Sequence, residues 1–176
     1  MELWKSDYYD AKVISLLIDD PKLITQAQVE QQVEQLDGGH LAHVFSSCNA
    51  TLAKTWFTKE LADKWMVSKD SIRRRCGYGL LYEMSKSKKK TAPDNSYFIE
   101  QIKLIDRSFS KESIPIKMAM GGALMGMGMR NLELNRKALV VAKKMGPIDF
   151  DPRGKCDPYN VARHLESDYA KKKFGL

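Results

Sequence analysis

Three consecutive arginines, Arg73, Arg74 and Arg75, sit where the sequence turns from polar to apolar. A guanidinium is planar and permanently charged, and it grips a phosphate oxygen pair with two parallel hydrogen bonds. Beyond the triplet, Ile72, Cys76, Gly79, Leu80 and Met84 recur at helical spacing. The stretch from Asp70 to Ser85 therefore reads as a helix with one side packed inward and the arginines in its first turns. Cations there repel one another and the positive end of the helix dipole. A nearby anion relieves that repulsion, and a DNA phosphate is the obvious candidate; the alternative is a solvated arginine run. Lys88 and Lys89, in the basic linker Lys86-Ser-Lys-Lys-Lys90, read as a solvated loop or as further phosphate contacts.

Two histidines stand three residues apart, His40 and His43. As a metal pair they lack a nearby third ligand. His43 as a general base is the other chemical reading, since imidazole titrates near neutral pH. The 3 cysteines, Cys48, Cys76 and Cys156, are far apart and form no C-x-x-C pair, so neither a zinc knuckle nor a disulfide framework is indicated. Reduced thiols suit a cytoplasmic protein. The 9 methionines, several of them between Met118 and Met129, have no Cys or His beside them and read as core filler. No cofactor and no metal are expected. Trp4 and Trp65 are expected to pack between helices, whereas Trp56 follows Lys54-Thr55 in a turn, where an exposed ring can stack on sugar or base.

These groups need a scaffold, and the composition describes one. The chain has 176 residues, 43% of them hydrophobic and 29% charged, as expected of one globular domain over residues 1–176. Its 29 Lys and Arg against 22 Asp and Glu leave a net charge of +7, which favours a polyanionic partner. No long apolar run or signal peptide is present, so no membrane partner is expected.

The periodicity is helical throughout. Helices are expected from Leu3 to Ile18, from Thr25 to Leu36 behind a Thr25–Gln28 capping box, and from His40 to Lys54. Others follow from Thr58 to about Ser68, Asp70 to Ser85, Asn95 to Phe109, Glu112 to Met129 and Leu132 to Met145. An irregular stretch from Gly146 to Pro158 precedes a last helix, Tyr159 to Lys173. Glu112–Met129 is apolar nearly all round and should be buried, with glycines that admit a close neighbour. Without strand alternation, the fold class is all-α: antiparallel HEAT-like helical repeats that stack into a curved solenoid with a concave face.

Four stretches, in order, resemble the AlkD-type DNA alkylation repair family. They are Leu3-Trp4-Lys-Ser6-Asp-Tyr8-Tyr9-Asp10; Lys64-Trp65 with Arg75 ten residues on; Ile116-Lys-Met-Ala119-Met-Gly121 leading to Met129-Arg130-Asn131 and Asn135-Arg-Lys-Ala138; and the tail from Ile148 to Pro158, similar to that of a short-form subgroup. The family carries more helices before the Leu-Trp opening, so the resemblance implies a truncated or shortened relative. It also implies a basic concave face cradling duplex DNA, alkylated in the enzymes of the family. Those enzymes excise N3- or N7-alkylated purines without flipping the base, using a carboxylate and aromatic rings beside the cationic lesion.

Where the family carries Trp-Asp-x-x-Asp, this chain has Gly39-His40-Leu41-Ala42-His43, which puts His43 at the carboxylate position; a shifted pairing puts Phe45 and Asn49 there. The second aromatic falls at Gly122, and the arginine is kept as Arg75. Three functions follow. The first is a DNA-binding protein that holds phosphates with Arg73, Arg74, Arg75, Lys88 and Lys89 and has weak or no excision. The second is a glycosylase using His43 or Asp37. The third is a helical-repeat scaffold that binds a protein partner.

Overall fold

The computed structural model describes residues 2–151 and 153–176, so Pro152 of the tail motif lies outside the described residues. Every element among them is helical, and extended backbone pairs only at one antiparallel bridge, Ile148 with Tyr159. The chain divides into two compact units, residues 1–84 and 85–176.

The first unit begins with a short 3-10 helix, Leu3–Lys5, and then α1 (Tyr9–Ile18), α2 (Gln26–Glu34), α3 (Gly39–Ser46), α4 (Thr58–Met66) and α5 (Ser71–Lys86), whose last residues pass the boundary. The single helix expected over Leu3–Ile18 is broken, because Ser6 is extended and its Oγ accepts the Tyr8 N–H at 3.2 Å. A hydroxyl bonding local backbone competes with the helical ladder in this way. At α2, Thr25 Oγ1 accepts from the Gln28 N–H at 3.2 Å, the cap its sequence predicts. The helix expected over His40–Lys54 ends at Ser46. Ser47 is extended, Cys48 and Asn49 take positive φ (56° and 60°), and a 3-10 helix follows over Thr51–Lys54.

An aromatic row fills this unit's core: Trp4 lies 6.3 Å from Phe45, which stacks on Trp65 at 6.1 Å between ring centroids. Both buried indoles find acceptors, Trp4 on Gln35 Oε1 at 2.6 Å and Trp65 on Glu30 Oε1 at 3.3 Å. Pairing of this kind is what lets an indole be buried without cost to its N–H. α5 lies against α3 and α4 with glycines at the contacts. A Cβ on Gly77 would stand 2.7 Å from the Met66 backbone N, and one on Gly79 2.3 Å from Ser46 Oγ.

The second unit holds α6 (Asn95–Ser108), a 3-10 helix over Phe109–Lys111, α7 (Ile114–Gly128), α8 (Leu132–Met145), α9 (Val161–Leu165) and α10 (Asp168–Phe174). The apolar α7 is buried along most of its length, with Pro115 in its first turn as its missing N–H requires. Close approach needs two of its glycines: at Gly121 a Cβ would meet Tyr159 and Val161 at 2.9 Å, and at Gly128 it would meet Leu165 at 2.6 Å. The last helix expected, Tyr159–Lys173, is two. Ser167 is extended and its Oγ caps α10 through the Ala170 N–H at 3.3 Å, while Asn160 caps α9 through Arg163 N–H at 3.1 Å.

Candidate functional site

Asp70 starts α5 by accepting the Arg73 N–H on Oδ1 at 2.7 Å, so the arginine triplet does open the helix as the pattern predicts. The three guanidiniums then part company. Arg73 reaches α2, where Nε and Nη2 stand 3.3 and 3.1 Å from Glu30 Oε2 and Nη2 also stands 3.0 Å from Glu34 Oε1. Glu30 is shared further, with Lys64 Nζ at 2.6 Å. Burial alone would raise the Glu30 carboxyl, but hydrogen bonds from Lys64, Arg73 and Trp65 hold it below its usual range. Arg74 turns back and donates from Nη1 to the carbonyls of Ser68 and Lys69, both at 2.9 Å.

Arg75 is different. It is half-buried, no carboxylate among the described residues is paired with it, and Nη1 lies 4.0 Å from where a Cβ on Gly38 would stand. Gly38 and Gly39 both take positive φ, 95° and 57°, and together lead into α3. A tryptophan at position 39, as the family resemblance implies, would be strained on such a backbone.

His43 lies one turn into α3 at the exposed surface, its ring 6.1 Å from that of His40. Packing around the ring, then the charges of Arg75 and His40, push its pKa below the ordinary 6.5; Glu83 acts the other way. The shift favours the neutral imidazole, which offers one donor and one acceptor. The structure thus brings His43 and Arg75 into one electrostatic neighbourhood.

A third member was missed in the sequence. Glu83 is buried on the side of α5 that also carries Arg75 and Gly79, and its Oε1 accepts the Asn49 N–H at 3.4 Å. The signal was present: Glu83 is the one acid between Cys76 and Met84. Asp37, the other carboxylate considered, is exposed ahead of Gly38. No group of three or more His, Cys, Asp or Glu side chains that could hold a metal ion occurs among the described residues.

In the second unit, Lys88 and Lys89 are exposed in a turn where Ser87 Oγ accepts the Lys89 N–H at 3.3 Å. Arg130 holds the base of this turn. Its Nη1 donates to the carbonyls of Ser85 (2.6 Å) and Ser87 (3.0 Å), and its guanidinium lies 4.5 Å over the Phe98 ring. Burial lowers the Arg130 pKa. No helix among the described residues is long and apolar enough to cross a membrane.

A family model described as DNA alkylation repair enzyme matches residues 1–149. No curated protein gives a significant match. Among solved structures, the chain is similar to a protein from work on a new family related to the HEAT-like repeat DNA glycosylases with affinity for branched DNA structures. That similarity has a TM-score of 0.83 at 20% identity and covers 99% of this chain and 74% of the other. The expected HEAT-like architecture is the one this likeness shows.

Proposed function

From the premise that this chain belongs to the DNA alkylation repair enzyme family, we propose that it is a DNA-binding member that holds phosphates and does not excise bases. The observation that supports it most is the contrast within the triplet. Arg73 and Arg74 are engaged by protein acceptors, whereas Arg75 keeps a guanidinium free of any carboxylate among the described residues. On this reading Arg75 grips a phosphate directly, Lys88 and Lys89 add exposed contacts, and Arg73 and Arg74 contribute field. The net charge of +7 adds long-range attraction. Such contacts fix position without reading sequence, and they are made on alkylated and unmodified duplex alike.

The chemistry of excision is what this reading leaves out. Stabilising an oxocarbenium-like sugar takes a fixed negative charge facing it. An imidazole, neutral or charged, carries no negative charge, and the buried Glu83 carboxylate on α5 accepts the Asn49 N–H from the loop after α3. The affinity for branched DNA ascribed to the structurally similar protein supports junctions as preferred ligands here.

The test is a titration of a linear duplex and a three-way junction over a series of salt concentrations. Log affinity should fall linearly with log salt, and the junction should bind more tightly. A flat salt response ends the phosphate reading. In parallel, base release from methylated duplex should stay at the uncatalysed level; release by the wild type would reinstate a glycosylase, and His43→Ala would then show whether the imidazole takes part. Exposed Ile14, Leu17 and Ile18 on α1 favour one alternative, a protein-binding scaffold. Undetectable DNA affinity together with a partner lost on Ile14→Asp would support it.

A further inference from the structure

Trp56 is 84% exposed, while Trp4 and Trp65 are 5% and 0% exposed. Leaving an indole in water forfeits its largest source of stabilisation, so the position calls for a reason. The turn that carries it is tied down by buried hydroxyls. Thr55 and Thr58 are both buried, and their hydroxyls lie 3.1 Å apart. Thr55 Oγ1 donates to the Leu52 carbonyl at 3.0 Å, and the single Thr58 O–H has the Thr55 and Leu52 carbonyls, at 2.8 and 3.0 Å, as acceptors. The next residue, Phe57, is buried and meets the Trp56 ring edge-on at 5.4 Å between centroids. The indole is thus mounted on a fixed base, which lowers the ordering cost of any contact it makes.

The flanks say what kind of contact. Lys54 is exposed and carries no ion pair among the described residues, and Lys59 is exposed and paired with Asp63 at 2.7 Å. From Thr51 to Glu60 no other large apolar side chain is exposed, so within its own turn the indole stands alone between polar and charged residues. A flat ring between cations suits a nucleobase whose backbone phosphates lie alongside.

We propose that Trp56 is a stacking platform for an unpaired base at a gap or branch in DNA, with Lys54 on the adjoining phosphate. The proposal rests on the DNA-binding reading above and adds to it a preference for DNA with exposed base faces. Within an intact duplex both faces of each base are covered, so Trp56 contributes nothing there.

The experiment compares an intact duplex with one holding a short single-stranded gap, both closed by hairpins so that no end offers a base face. Trp56→Leu should weaken binding to the gapped DNA by about 5- to 100-fold and leave the intact duplex unchanged, and Trp56→Phe should keep most of the preference. Because Trp56 is the exposed indole of the three, acrylamide quenching reports on it, and saturating gapped DNA should suppress that quenching. Equal losses on both DNAs, no loss on either, or quenching unaffected by DNA would each overturn the proposal, the last pointing to a protein partner. If wild type binds neither DNA, the DNA-binding reading fails and this one with it. If wild type binds both and Trp56→Leu behaves identically, only this one fails.

Discussion

Arg73 and Glu30 are joined through two guanidinium nitrogens on one carboxylate oxygen, at 3.3 and 3.1 Å. Glu30 is in turn bonded to Lys64 and Trp65, so the pair ties α5 to α2 and α4. The first arginine of the run is therefore part of the frame, whereas Arg75 has no carboxylate partner among the described residues.

Substitution separates the two roles. Arg75→Ala should weaken duplex binding about 10-fold and reduce the salt slope by about 1, measured by titration at several salt concentrations. Arg73→Ala should instead cost about 1 kcal/mol of stability, lowering Tm by about 2–4 °C, with a smaller change in the DNA titration.

His43 predicts a pH effect with a definite sign. Its folded pKa lies below 6.5, so between 6.5 and that lower value the unfolded chain takes up a proton that the folded chain refuses. The contribution to stability is intact above 6.5 and is lost as pH falls through the folded value. His43→Gln should flatten that part of the stability profile. An NMR titration of Arg75→Ala should show the imidazole moving back toward 6.5 but staying below it, because packing around the ring is the larger cause.

The glycines should divide by surroundings. Gly77→Ala drives a methyl to 2.7 Å from the Met66 backbone N and should destabilise by about 1–3 kcal/mol. Gly122→Ala, on α7 with nothing within 4 Å, should stabilise by about 0.5–1 kcal/mol through helix propensity. Urea unfolding of both variants checks the opposite signs.

Thiol titration should find two reactive groups in the folded protein. Cys48 and Cys156 are exposed, whereas Cys76 is buried and its pKa is pushed up to about 12 by that burial. Cys76 should react with a thiol reagent only in denaturant.

Much of the fold was legible because apolar spacing reports directly on which side of a helix is packed. Cys76, Leu80 and Met84, chosen on period alone, are all buried. The breaks at Ser6, Ser47 and Ser167 were harder, since each follows from a short polar side chain or an extended residue inside an apolar run, and periodicity passes over such points. At the site, the triplet and His43 could be picked out by residue type. That Arg73 would find Glu30, 43 positions away, could not, because ion pairs between distant helices leave no local trace. Arg130 was visible only as part of a motif; its hold on Ser85 and Ser87 depends on the tertiary fold.

Ile148 and Tyr159 exchange two N–H to carbonyl bonds, both 2.9 Å, and so pinch shut the base of the segment between them. An insertion at the far end of that segment, near Gly154, should leave Val161 and Leu165 seated against α7. A fluorophore or affinity tag grafted there should therefore ride on the protein without loosening the packing of α7 and α9.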